Sequence, residues 1–362
     1  MSDNTQPIRD IVASVLQAAA DKQTLTIRGG GTQQFHTGLV HESTALRLDR
    51  YTGIISYEPS ELVITVRAGT PLRSVESMLA SRGQQFAFEP PRFGPNATIG
   101  GMVATGLSGP RRSFSLALRD AVLGIKIING KGEVLSFGGE VIKNVAGYDV
   151  SRLFCGSYGT LGVILEVSLR VMPRPPVELT VVRETRTADA CQAIQSVRQQ
   201  VPNLSGLAYD SGRLYCRLAG SEASVAKSVA LLGGEVSEQA AGFWRQLKDQ
   251  ELPFFREPGP LWRVSVPPAA PQGNFGARFV YDWGGGLRWI KTDATAEQVR
   301  AGTGQLGGSA VLFRSEESRL LDVSASLSAP AIALHRRLKS AFDPMGVFNP
   351  GLLFPAGQHH AD

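Results

Sequence analysis

Ile8, Ile11, Val12, Val15, Leu16 and Ala19 recur at three- and four-residue intervals, which predicts an amphipathic helix over 8–20. The segment 24–28 reads as a strand and runs into Gly29-Gly30-Gly31. A strand at 62–67 leads to Thr70-Pro71, a good helix start, and the spacing predicts a helix over 71–82. From 89 to 110 the pattern lapses into Gly and Pro with few charges. A patternless connection of this length inside a domain is usually functional or disordered, and its composition favours function. Strands are predicted at 121–129 and 133–137 around Gly130-Lys131-Gly132, with a short helix near 148–154 and a strand at 163–171. Met172-Pro173-Arg174-Pro175-Pro176 can continue neither helix nor strand and marks a domain boundary.

Beyond the boundary the order changes. Strands are predicted at 177–183, 205–210, 213–218, 261–266, 277–282, 287–291 and 309–314. Helices are predicted at 187–200, 221–232, 241–249 and 294–302, with a last one at 329–342. This order predicts an antiparallel sheet with helices on one face. The expected division is a domain over 1–174, a second, cap-like domain over 175–328, and a C-terminal segment over 329–356 that returns to the first domain.

The chain has 362 residues, 37 basic and 32 acidic, for a net charge of +5. There is no basic block, so nucleic acid is not an expected partner. Cys155, Cys191 and Cys216 are odd in number and lack metal-ligand spacing. They argue for a reducing compartment and against an iron–sulfur cluster held by this chain alone, and no metal site is expected. No run of about 18 apolar residues predicts a membrane span, and the N-terminus does not read as a signal peptide. A cytoplasmic protein is expected, attached to a membrane only through partners.

Gly is the unusual residue, with 40 copies that cluster. Arg28-Gly29-Gly30-Gly31-Thr32 follows a strand, where successive N–H groups and missing side chains let an anion approach. It is not a GxGxxG run and no helix pattern follows, which disfavours a Rossmann site. Asn96-Ala97-Thr98-Ile99-Gly100-Gly101-Met102-Val103-Ala104-Thr105-Gly106 offers backbone donors and hydroxyls with few charges. Gly156-Ser157-Tyr158-Gly159-Thr160-Leu161-Gly162 leads into an apolar strand. Three such loops in one domain suggest a single extended cofactor held by backbone at several points.

With the closing run Phe342–Gly351, these segments resemble the vanillyl-alcohol-oxidase-type FAD family. Arg119-Asp120-Ala121-Val122-Leu123-Gly124 and Lys143-Asn144-Val145-Ala146-Gly147-Tyr148-Asp149 are similar to the FAD-binding E subunits of bacterial glycolate oxidases. The resemblance covers essentially the whole chain. It implies an α+β fold, with two α+β subdomains of the PCMH type holding FAD and a C-terminal α+β cap with an antiparallel sheet. By the same likeness Arg28, Gly29, Gly30, Gly31 and Thr32 lie at the pyrophosphate. Thr98, Ile99, Gly100, Gly101 and Thr105 lie along the phosphate and ribityl chain. Gly159, Val163 and Ile164 contact flavin or adenine through backbone, and Asn349 lies near the ring. Thr32 stands where covalent members carry His, so the FAD is expected to be non-covalent, with His36 at the surface or in a supporting position.

Relatives that oxidise D-2-hydroxy acids carry two histidines in a cap motif. The counterpart here, Tyr281-Asp282-Trp283-Gly284-Gly285-Gly286-Leu287-Arg288-Trp289, has neither. Asp282 and Arg288 are the catalytic candidates, against the alternative of an ion pair within the cap. The resemblance therefore implies an accessory FAD subunit of a glycolate or D-2-hydroxy-acid dehydrogenase complex. Its expected partners are a second FAD subunit, an iron–sulfur subunit and a small 2-hydroxy acid. The alternatives are a self-sufficient FAD-dependent dehydrogenase and a structural subunit with non-catalytic FAD.

Overall fold

Two antiparallel sheets divide the chain at the proline-rich run 172–176. The computed structural model describes residues 6–33, 43–139, 149–276, 278–315 and 327–353. In the first half, α1 (Gln6–Ala20) buries Ile11, Val15 and Ala18. The strand β1 (Leu25–Arg28) pairs in parallel with β2 (Thr44–Arg47). β3 (Ile54–Glu58) and β4 (Val63–Arg67) follow, then α2 (Leu72–Ser81), β5 (Gln84–Gln85), α3 (Ile99–Thr105), β6 (Val122–Ile128), β7 (Val134–Gly138), β8 (Val163–Arg170) and β9 (Met172–Pro173). The main sheet has the order β3-β4-β8-β6-β7. Its central strand β8 is buried along most of its length, and α2 and α3 contribute Leu72, Val75, Leu79, Ile99, Met102 and Val103 to the same core.

The second half builds an eight-stranded sheet. Its strands are β10 (Val177–Glu184), β11 (Leu204–Asp210), β12 (Arg213–Gly220), β13 (Glu235–Val236), β14 (Leu261–Ser265), β15 (Arg278–Asp282), β16 (Leu287–Lys291) and β17 (Ser309–Arg314). Their order is β13-β10-β12-β11-β15-β16-β14-β17, antiparallel throughout. The helices of more than one turn are α4 (Ala190–Gln200), α5 (Glu222–Leu232), α6 (Ala240–Lys248) and α7 (Ala296–Gln305). Because side chains alternate along a strand, one face carries Leu207, Tyr209, Tyr281 and Ile290. Ile194 of α4, Val225 of α5 and Val299 of α7 cover it. The other face carries Ala208, Val280, Trp289 and Phe313, and there Phe243, Trp244 and Leu247 of α6 pack. The expectation of helices on one face thus holds for three of these four helices. The fourth lies on the face turned toward the first half, where Phe93 and Leu107 meet the same cluster.

The chain then returns. The helix α8 (Ala329–Phe342) is followed by Val347 and Phe348, which enter the core of the first half beside Leu25. Lys339 on α8 donates to the Thr160 carbonyl (2.7 Å), the Phe348 carbonyl (3.0 Å) and the Asp343 carboxylate. That carboxylate in turn accepts the N–H groups of Val347 and Phe348.

The pattern at 89–110 conceals an element. Ile99–Thr105 is helical, capped by Thr98 at its start and by left-handed Gly106 at its end. Adjacent glycines mask its periodicity. The strands β2 and β3 were also not expected; each is four or five residues long and half exposed, so alternation is weak.

Candidate cofactor site

The three glycine-rich segments converge. A Cβ on Gly30 would lie 1.5 Å from the Asn96 carbonyl oxygen, and one on Gly29 would lie 2.3 Å from Thr98 Oγ1. The first two loops are therefore packed backbone to backbone, and these glycines serve that approach. Gly31 has φ of 71°, a left-handed conformation that favours glycine. Gly100 is held against Ala68, whereas a Cβ on Gly101 would meet only Thr98 Oγ1, at 3.3 Å. Gly101 thus lies open to the space between the loops.

Asn349 joins the third segment to the first. Its Oδ1 accepts the Ile27 N–H (2.8 Å), and its Nδ2 donates to the Tyr158 carbonyl (2.6 Å). Tyr158 has φ of 52°, rare for a residue with a side chain, and its N–H donates to the Ala104 carbonyl (2.8 Å). Burial pushes its phenol up to about 12.

These contacts border a trough of three adjoining cavities that share Tyr158 and Asn349 in their walls. One of about 130 Å³ is lined by Arg28–Thr32, Thr98, Gly101 and Thr105. One of about 60 Å³ touches Gly29, Gly100, Gly101, Gly159 and Ile164. The largest, about 370 Å³, runs from Thr105 and Gly156 to Arg263, Val311 and Phe313 of the second sheet. Among the described residues no Asp or Glu lines any of the three. The Gln33 side-chain oxygen at the loop end is buried without a hydrogen-bond partner. An acid-free trough with glycine floors, a basic residue at each end and an apolar larger chamber fits an elongated, phosphate-bearing aromatic cofactor. Thr105 stands where the two larger chambers meet, its hydroxyl donating to the Gly101 carbonyl (3.0 Å).

Among the expected cofactor residues, Ile99 and Val163 turn their side chains away from the trough. Both are fully buried in core clusters and line none of the chambers. Asp282 and Arg288 are not brought together. Tyr281 pairs with Arg288 and Asp282 with Leu287 across β15 and β16, so the two side chains point to opposite faces. Arg288 donates to the carbonyls of Ala270, Pro271 and Gln272, away from the first half. Neither the ion pair within the cap nor a cofactor-facing role for Arg288 survives this geometry. Asp282 does face the first half. It accepts the Trp283 N–H (2.6 Å), and burial pushes its carboxyl up to about 7. It does not line the trough.

The motif 281–289 instead joins the two halves. Trp283 Nε1 donates to the Gly109 carbonyl (3.0 Å), and its ring lies near the guanidinium groups of Arg112 (4.3 Å) and Arg263 (5.2 Å). Beside it Glu89 takes a bidentate pair from Arg217, both bonds 2.8 Å, and accepts the Arg111 N–H (2.9 Å). Burial opposes ionisation of Glu89, but Arg217 and Arg111 hold its carboxyl below the ordinary range.

The family model for an FAD binding domain matches residues 6–138. Over 344 residues, 95% of this chain and 96% of its relative, the sequence is 46% identical to the glycolate oxidase subunit GlcE of Escherichia coli. The chain belongs to the GlcE family. It is thereby an FAD-dependent oxidoreductase family member, with FAD as its cofactor. It is 30% identical over 167 residues to a D-2-hydroxyglutarate dehydrogenase of Xanthomonas citri pv. viticola, covering 46% of this chain and 35% of that one. A solved alkyldihydroxyacetonephosphate synthase superimposes with a TM-score of 0.65 at 16% identity, over 94% of this chain and 74% of that chain, which shows the shared fold.

Sequence reasoning missed Tyr158 as the shared wall of the trough, although it is the one large side chain within Gly156–Gly162. It also missed Arg263, whose signal is a lone cation in the apolar strand Leu-Trp-Arg-Val-Ser-Val. Lys143–Tyr148 and every histidine except His335 lie outside the described residues. Cys155 borders the large chamber, but burial pushes its thiol up to about 12, which removes it as a nucleophile at neutral pH.

Proposed function

We propose that this chain is an FAD-carrying accessory subunit of a complex that oxidises glycolate or another small D-2-hydroxy acid, with the FAD bound non-covalently along the trough. The observation that carries this reading is the acid-free trough built from the three glycine-rich segments and closed by Asn349. Bound FAD supplies acceptance of electrons from the partner flavin that oxidises the acid, and their onward release.

The residues of the chain do the rest by position. Arg28–Thr32, Gly101 and Thr105 offer backbone and hydroxyl groups to the phosphate-bearing part. Gly159 and Ile164 line the trough beside Asn349, which fixes the two walls relative to each other. Leu107, Leu161, Val311 and Phe313 exclude water from the large chamber. The cap motif supplies no histidine to take the hydroxyl proton, and its Trp283 is committed to the contact with Gly109. Proton removal from the substrate is accordingly assigned to a second FAD subunit, and an iron–sulfur subunit receives the electrons.

An anaerobic absorbance titration of the purified chain with glycolate and D-lactate tests this. A flavin spectrum that stays oxidised until the partner chains are added is expected. Bleaching of the isolated chain by either acid would overturn the accessory reading in favour of a self-sufficient dehydrogenase.

A further inference from the structure

Arg263 sits on β14, on the face of the eight-stranded sheet turned toward the trough. Its neighbours across the strands are Trp289 on β16 and Val311 on β17. The surroundings are apolar: Leu107, Val311 and Phe313 share the chamber wall with it. The guanidinium lies near the Trp283 ring, which is itself fixed by its bond to the Gly109 carbonyl. No hydrogen bond or ion pair from a described residue reaches Arg263, and burial pulls its proton affinity below the ordinary arginine range. The other buried cation of the chamber, Lys339, is consumed by the Thr160 and Phe348 carbonyls and the Asp343 carboxylate. A cation held in an apolar wall with no directly paired carboxylate, only the field of Asp282 beyond ion-pair reach, is costly, and an arriving anion offsets that cost.

We propose that Arg263 forms a carboxylate-binding site at the cap end of the trough, where a small organic acid is held beside the cofactor. This rests on the reading of the trough as the FAD site. The guanidinium fork matches a carboxylate with two parallel hydrogen bonds. The first glycine loop, Gly29–Gly31, which suits phosphate, lines a different chamber from the one Arg263 borders. The site makes this chain a binder of the acid whether or not it removes the acid's proton.

The test uses the full-length chain with its FAD, oxalate as the probe, and the perturbation of the flavin absorbance as the signal. Wild type is expected to show a saturable perturbation. Arg263→Met is expected to weaken oxalate binding about tenfold or more, the loss of one charge-assisted pair, with FAD content unchanged. Arg263→Lys, which keeps the charge but loses the fork, is expected to fall between the two. A flavin-loaded wild type that ignores oxalate, or Arg263→Met with wild-type affinity, overturns the proposal. So does Arg263→Met that loses FAD together with oxalate, because the guanidinium then serves the cofactor's own charge. A wild-type chain that carries no flavin overturns the FAD reading itself, and this site with it.

Discussion

The trough and the contact between the two halves solve opposite problems. The trough is lined by glycines, hydroxyls and apolar side chains, with no carboxylate in its wall among the described residues. The contact concentrates charge: Glu89, Arg111 and Arg217 form one cluster, and Asp282 and Arg112 lie against Trp283. A site that receives a phosphate-bearing cofactor does best with backbone and no competing acid. A contact between two sheets gains orientation from directional ion pairs, but each buried pair is stable only while complete. The trough should therefore respond to added volume, and the contact to lost charge or altered pH.

The largest effect is expected at the contact. Glu89→Ala removes the bidentate partner of Arg217 and leaves Arg111 with Glu178 alone, and should cost about 3 kcal/mol in urea unfolding. Glu89 has a depressed pKa in the folded chain. Its contribution is thus present above its ordinary value of 4.5 and lost as the pH falls through the folded value. Asp282 has the opposite sign. Its carboxyl is raised from 3.8 to about 7, so the folded state binds the extra proton and loses stability as the pH rises through that window. Asp282→Asn keeps an oxygen for the Trp283 N–H. It should flatten this slope and raise stability at pH 8, measured by unfolding at a series of pH values. An unchanged slope would mean that Asp282 is ionised across the range.

On the trough side, Asn349→Ala removes the Ile27 and Tyr158 bonds and should cost about 2 kcal/mol, with weaker FAD retention on gel filtration. Gly30→Ala forces the two loops apart against the Asn96 carbonyl and should cost about 1–3 kcal/mol, together with loss of FAD. The smallest stability effect, within about 1 kcal/mol, is expected from Gly101→Leu, because the new side chain enters open space on a helix that prefers Leu to Gly. If Gly30→Ala kept FAD while Gly101→Leu unfolded the chain, the assignment of glycines to packing and to binding would be reversed.

Much of this was legible in the sequence, and the failures have physical causes. The strands β8 and β10–β12 announce themselves through apolar runs and the Asp210-Ser211-Gly212 turn, where Ser211 and Gly212 have positive φ. The glycine clusters correctly mark where backbone comes close. They do not say which glycines would tolerate a side chain: a Cβ on Gly29 or Gly30 would strike another loop, whereas one on Gly101 would point into the trough. Strand parity separates Asp282 from Arg288, but that inference needs the pairing of β15 with β16, which lies beyond any local pattern. The signal of Arg263 is ambiguous, because a cation in a strand reads as an exposed residue until the facing surface is known.

The most direct test of the account is the flavin carried by wild type and by Gly101→Leu, read by absorbance before and after acid denaturation. The account predicts about one FAD per wild-type chain, released in full on denaturation. It predicts a folded Gly101→Leu chain with none. Equal flavin in both proteins, or flavin that stays with the denatured polypeptide, would contradict it.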